Sequence, residues 1–134
     1  MKGLDELAIP ADLKYAKDHE WASPKKPHRI GVSDFAQDQL GDITFADLPE
    51  PGVTVAAGTE FGSLESIKSV SALFAPVSGK VLAVNQALGD DPGLVNRDPY
   101  GEGWLIEVEP ADPAEFAALM DAAAYKACLK EDAT

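Results

Sequence analysis

From Tyr15 onward the apolar positions of the chain come in short runs broken by proline and glycine. Trp21, and then Ile30 and Val32, flank the segment Ser23-Pro24-Lys25-Lys26-Pro27. Its two prolines exclude regular structure, so the pattern predicts a strand, a loop and a strand. Ile43-Thr44-Phe45, Val53-Thr54-Val55, Glu60 to Glu65, Leu73-Phe74, Val81 to Val84 and Trp104 to Val108 are further apolar or alternating runs. Pro49-Glu50-Pro51-Gly52, Pro76-Val77-Ser78-Gly79 and Asp91-Pro92-Gly93 separate them as turn signals. Many short strands with such turns predict a mostly β sandwich or small barrel rather than alternating βα units.

Two segments depart from this pattern. Ser33 is placed to cap a short helix over Asp34 to Leu40, with acidic residues toward its positive end and Gly41 free to end it in a left-handed conformation. Asp112 is placed as a second N-cap, with Pro113 at the first helical position, Glu115 at the capping-box position, and Phe116, Leu119, Met120 and Ala123 on one face. The C-terminal helical segment is expected over about 113–130, with a second helix capped by Asp121 as an option for Tyr125 to Leu129. The two Pro-x-x-Gly turns, each followed by a pair of valines, form an internal echo compatible with two similar half-folds. Residues 1–13 read as an N-terminal arm and residues 14–134 as a single domain.

Composition narrows the function classes. Hydrophobic residues at 46% and charged residues at 25% support a packed fold. No apolar run approaches the roughly 20 residues that a membrane span needs. A formal charge of −12 would repel nucleic acid and anionic lipid, although it suits basic partner surfaces as well as simple solubility. One cysteine, Cys128, precludes an internal disulfide, and it reads as a buried apolar residue. His19 and His28 stand at neither metal nor triad spacing and read as surface residues. Met1 to Leu7 lacks a signal-peptide core, so a cytoplasmic location is expected. Gly62 and Gly79 are expected where backbones approach closely or turn tightly, and Trp21 and Trp104 as core aromatics. Carboxylates are plentiful, but no nucleophile motif or phosphate loop accompanies them, which argues against an enzyme.

Between Ile30 and Gly79 the only basic residue is Lys68, in Glu65-Ser66-Ile67-Lys68-Ser69-Val70 between two strand candidates. At a hairpin tip its four-carbon stem would project into solvent, where an enzyme can modify the amine and a tethered arm can swing. An ordinary solvated turn lysine fits the residues alone equally well.

Longer stretches carry a resemblance. Lys14 to Trp21, Gly31-Val32-Ser33 with Leu40-Gly41-Asp42, Leu48 to Gly52, Leu64-Glu65-Ser66-Ile67-Lys68 and Ala75 to Gly79 resemble the glycine cleavage system H protein family of lipoyl carriers. The likeness extends through Asn85, Leu94-Val95-Asn96, Pro99-Tyr100 and Gly103-Trp104. It implies a barrel-sandwich hybrid of two small sheets with quasi-two-fold halves, and lipoic acid in amide linkage to Lys68. It implies a monomeric, non-catalytic carrier that takes the aminomethyl group of glycine from a pyridoxal-phosphate glycine decarboxylase to a tetrahydrofolate-dependent aminomethyltransferase. The dithiol then passes to the FAD-containing dihydrolipoyl dehydrogenase, and a lipoyl-attaching enzyme is a fourth partner. Biotin carriers carry Met on both sides of the lysine, where this chain has Ile67 and Ser69.

Two further residues gain expected roles from this resemblance. Glu20, in His19-Glu20-Trp21, is a candidate to hold the ammonium of the loaded arm in a cleft; the alternative is that it orders a strand end. Glu65 is a candidate for recognition by the modifying enzyme, or else a plain hairpin residue. Two other functions remain: an H-like lipoyl carrier in lipoate relay or sulfur oxidation, and an unmodified protein-interaction module.

Overall fold

The computed structural model describes Gly3 and residues 6–133. Of the expected arm, Met1, Lys2, Leu4 and Asp5 lie outside the described residues, as does Thr134 at the other end. Among the described residues, nine strands form two antiparallel sheets. The larger contains β1 (Lys14–Tyr15), β2 (Glu20–Ala22), β3 (His28–Val32), β9 (Ile106–Pro110), β8 (Gly79–Val84) and β5 (Thr54–Val55), side by side in that order. The smaller is β4 (Ile43–Asp47), β6 (Glu60–Ser66) and β7 (Val70–Phe74). This is the two-sheet, mostly β architecture that the short runs predict.

The core forms where the inner faces meet. Ile30, Val32, Leu64, Leu73, Val77, Val81, Leu105, Ile106 and Val108 are buried in one cluster. A second cluster, of Leu13, Tyr15, Trp21, Ala122, Tyr125 and Leu129, joins the first strands to the C-terminal helix. Trp21 lies within it as expected, its indole N–H donating to the carbonyls of Val32 and Pro99 at 3.1 and 3.0 Å. Leu7 and Ile9 of the arm pack against the same cluster.

The echoed turns have a structural counterpart. β5 and β8, which follow them, pair antiparallel with Val55 opposite Gly79. Gly79 has no room for a side chain, because an added Cβ would lie 2.1 Å from the Glu109 carbonyl oxygen. Gly62 is held equally close to the Asp47 carbonyl, at 2.3 Å. Both glycines are therefore required by backbone approach, as the sequence predicts.

Helix α1 (Asp34–Leu40) starts where Ser33 caps it, the hydroxyl accepting from the Ala36 N–H at 3.2 Å. It ends at Gly41, whose φ of 78° is open to glycine. Two short turns follow β8, α2 (Ala87–Asp90) and α3 (Leu94–Arg97). After β9 the chain forms α4 (Pro113–Ala117) and α5 (Ala122–Ala133). The break between them is where Met120 bridges to Tyr15 of β1. Asp121 caps α5 through the Ala124 N–H at 2.8 Å.

Four local expectations are corrected. Glu115 does not close a capping box: its carboxylate accepts from the Ser78 N–H and hydroxyl at 2.8 and 3.0 Å, pinning α4 to the turn before β8. His28 is buried rather than superficial, stacked on Phe116 with Nδ1 donating to the Ser23 carbonyl. Trp104 is half-buried beneath the Arg29 guanidinium, and Cys128 is half-buried on α5. Among the described residues no helix is long and apolar enough to cross a membrane, and no cluster of side chains could hold a metal ion.

Candidate functional site

Lys68 is the middle residue of the three-residue tip between β6 and β7, and it is exposed. Ser66 builds the turn. Its N–H donates to the Ser69 carbonyl at 2.8 Å, and its hydroxyl oxygen accepts from the N–H groups of Lys68 and Ser69 at 3.2 and 3.1 Å. A serine hydroxyl that satisfies local backbone donors stabilises a tight turn in this way. The Ile67 N–H donates to the Asp42 carbonyl at 3.1 Å, tying the tip to the loop after α1.

The lysine does not stand straight out from this tip. Its stem lies across Gly41, where an added Cβ would come within 2.9 Å of Cε. Asn96 of α3 holds that segment in place. Its side-chain amide N–H groups donate to the Gly41 carbonyl and the Gln37 side chain at 2.8 and 3.0 Å, and its oxygen accepts from the Ile43 N–H at 2.8 Å. The support of Gly41 by Asn96 spans about half the chain, and nothing in the local sequence signals it.

A cleft of about 270 Å³ runs between α1 and β7, lined by Phe35, Gln39 and Leu40 on one wall and Ser71 and Ala72 on the other, with Glu20 in its lining. Ser71 lies three residues beyond Lys68 in sequence, so the tip and the cleft are adjacent along β7. The walls are mainly apolar, and Asp18 adds a second carboxylate. Glu20 is only 2% exposed. One carboxylate oxygen accepts from the Phe74 N–H of β7 at 3.2 Å, and the other has no hydrogen-bond partner. Burial pushes the Glu20 carboxyl up from the usual carboxylate range to about 8; the Phe74 hydrogen bond opposes this and the Asp18 charge adds to it. A carboxylate buried with no cation beside it is costly, and a ligand cation would relieve that cost.

A further cavity of about 330 Å³ also has Glu20 in its lining, with Tyr15, Ala75 and Met120 among others. Glu20 thus lines two cavities and, through Phe74, joins the two sheets. Glu65 lies elsewhere. It faces outward on β6, between Phe45 of β4 and Val70 of β7, and among the described residues no cation pairs with it. The structure brings Lys68 and Glu65 to one hairpin and sets Glu20 at the cleft beside it. His19 also lines the cleft, and its Nδ1 is bonded to the Tyr125 hydroxyl at 2.8 Å.

Known proteins are similar to this chain in fold and sequence. The solved glycine cleavage system H protein of Mycobacterium marinum superposes with a TM-score of 0.83 at 43% identity, covering 89% of this chain and 97% of that one. The glycine cleavage system H protein of Anaeromyxobacter sp. strain K is 53% identical over 126 residues, 93% of this chain and 98% of the relative. That of Myxococcus xanthus is 50% identical over 123 residues, 91% and 95% of the two chains. Residues 13–132 match the family described as Glycine cleavage H-protein, and with near-complete coverage in every comparison the chain belongs to that family.

Proposed function

We propose that this protein is the lipoyl carrier of a glycine cleavage system, with Lys68 as the attachment point. The observation that carries the reading is the position of an exposed lysine, at a hairpin tip, beside a cleft whose lining includes a buried, half-satisfied carboxylate. Lipoic acid supplies a dithiolane that can be opened, loaded and reoxidised at the end of a flexible arm.

The residues of the chain perform the remaining tasks. Ser66 fixes the tip on which Lys68 is exposed, where a modifying enzyme can reach it. Glu65 offers that enzyme an unpaired negative charge on the strand that leads to the tip. Tethering keeps the cargo at high effective concentration for the decarboxylase, the aminomethyltransferase and the dehydrogenase in turn. The apolar walls of Phe35, Leu40 and Ala72 exclude water from a docked arm. Glu20 receives the cargo ammonium, the cleft wall parting enough to bring the cation to its free oxygen. The carboxyl gives up its proton as the cation arrives, so the buried charge appears only when it is paired.

Reconstitution tests this reading. The lipoylated protein, mixed with the decarboxylase, the aminomethyltransferase, the dehydrogenase, tetrahydrofolate and NAD+, is expected to support glycine-dependent reduction of NAD+ to NADH. The Lys68→Arg variant keeps the charge but cannot form the amide, and it is expected to give none. Lipoylated protein that the dehydrogenase accepts, but that shows no glycine-dependent turnover, would contradict the assignment and favour a carrier in lipoate relay or sulfur oxidation.

A further inference from the structure

The outer face of the small sheet carries a row of side chains for which the carrier cycle gives no use. In the register of β4, β6 and β7, Phe45 is opposite Glu65 and Glu65 is opposite Val70. Directly opposed residues in antiparallel strands share a face with their Cβ atoms about 5 Å apart. Phe45 is 52% exposed, Val70 64% and Ile67, at the tip, 70%. These are three of the five large hydrophobic residues that the described chain exposes; Ile67 and Val70 lie within two residues of Lys68, and Phe45 is paired with Glu65 on the strand that leads to it. Scattered apolar residues need no explanation, but a cluster beside a functional group does.

Phe45 owes its exposure to a specific device. Two residues further along a regular strand it would share the buried face of Ile43, which is 4% exposed. The register shifts between Ile43 and Phe45: two steps on β4 match the single step from Ser66 to Glu65 on β6. This bulge turns the phenyl ring outward. The surroundings are acidic, with Asp34, Asp38, Asp42, Asp47, Glu50, Glu60 and Glu65 the only charged residues besides Lys68 between Ile30 and Gly79.

We infer that Phe45 and Val70, on either side of Glu65, form the anchor by which the lipoyl-attaching enzyme docks on this chain. The inference rests on the lipoyl-carrier reading and adds the recognition surface to it. The enzymes that use the loaded arm meet its far end. The attaching enzyme alone must bring the activated carboxyl of lipoate to Lys68 Nζ, where the amine forms the amide bond, the activating group leaves with its electron pair and the amine proton passes to solvent. The rim of its active site therefore covers the residues around the tip. The partner surface has an apolar recess for the phenyl ring and a basic side chain for Glu65.

Steady-state lipoylation by a purified lipoate ligase, with the unmodified protein as varied substrate, tests this. Phe45→Ala and Val70→Ser are each expected to raise KM about fivefold or more with kcat unchanged. Glu65→Gln is expected to raise KM and flatten its dependence on salt. Leu82→Ala, which removes an apolar residue 45% exposed on the other sheet, is the control and is expected to match the unmutated protein. Each variant, once lipoylated, is expected to be used by dihydrolipoyl dehydrogenase at the unmutated rate. An unchanged KM in Phe45→Ala and Val70→Ser would overturn the inference, as would an equal loss in Leu82→Ala or an equal loss with the dehydrogenase. Failure of the lipoyl attachment itself is distinct, since the unmutated protein would then acquire no lipoate at all.

Discussion

The Glu20 carboxylate of the large sheet accepts a hydrogen bond from the Phe74 N–H of the small one, 54 residues away, and the same residue lines two cavities. In the unfolded chain Glu20 titrates near 4.5, whereas in the folded chain it titrates near 8. Between those values the folded protein holds the extra proton, so this group's contribution is fully present below pH 4.5 and is lost as the pH rises through 8. Glu20→Gln removes that dependence. Urea unfolding is expected to show the variant gaining stability relative to the unmutated protein, by about 5 kcal/mol between the two ends of this window. Parallel pH curves for the two proteins would refute the burial argument.

Docking of the loaded arm carries the same proton. An ammonium on Glu20 requires the ionised carboxylate, so docking releases a proton wherever the free protein holds one. The docked population is expected to rise up to about tenfold per pH unit below pH 8 and to level off above it. Amide shifts of Leu40 and Ser71, which line the cleft, followed in the loaded protein across this range would report it. A docked fraction independent of pH would exclude Glu20 as the seat.

Gly41 combines a positive φ of 78° with the contact to the Lys68 stem. Gly41→Ala is expected to cost about 1–3 kcal/mol in backbone strain, read by urea unfolding. The new methyl group also displaces the stem, so lipoylation under conditions that keep the variant folded is expected to slow. A variant that loses stability but is modified at the unmutated rate would show that the resting place of the stem does not matter.

What the sequence reveals about this protein follows the range of the interactions involved. Ser33, Asp112 and Asp121 were legible as helix starts because a cap and its N–H partner lie within three residues, and Gly41 as a helix end because its N–H returns to the Gln37 carbonyl four residues back. The Lys68 hairpin was legible because its turn is built by Ser66, two residues away. Glu20 could be named as a candidate from its motif, but its burial depends on Phe74 and on walls from α1 and β7. His28 is buried by Phe116, and Glu115 turns to Ser78 rather than to its own helix end. Phe45 escaped for a different reason: periodicity assumes an unbroken strand, and one bulge reverses its prediction.

The central claim is that Lys68 is the point of attachment, and intact mass tests it most directly. Protein made in lipoate-supplied cells with an active lipoate ligase is to be weighed beside its Lys68→Ala variant. The account predicts one lipoyl-sized increment in the unmutated protein, mapped to Lys68, and none in the variant. No increment in the unmutated protein, or the same increment in the variant, would contradict it.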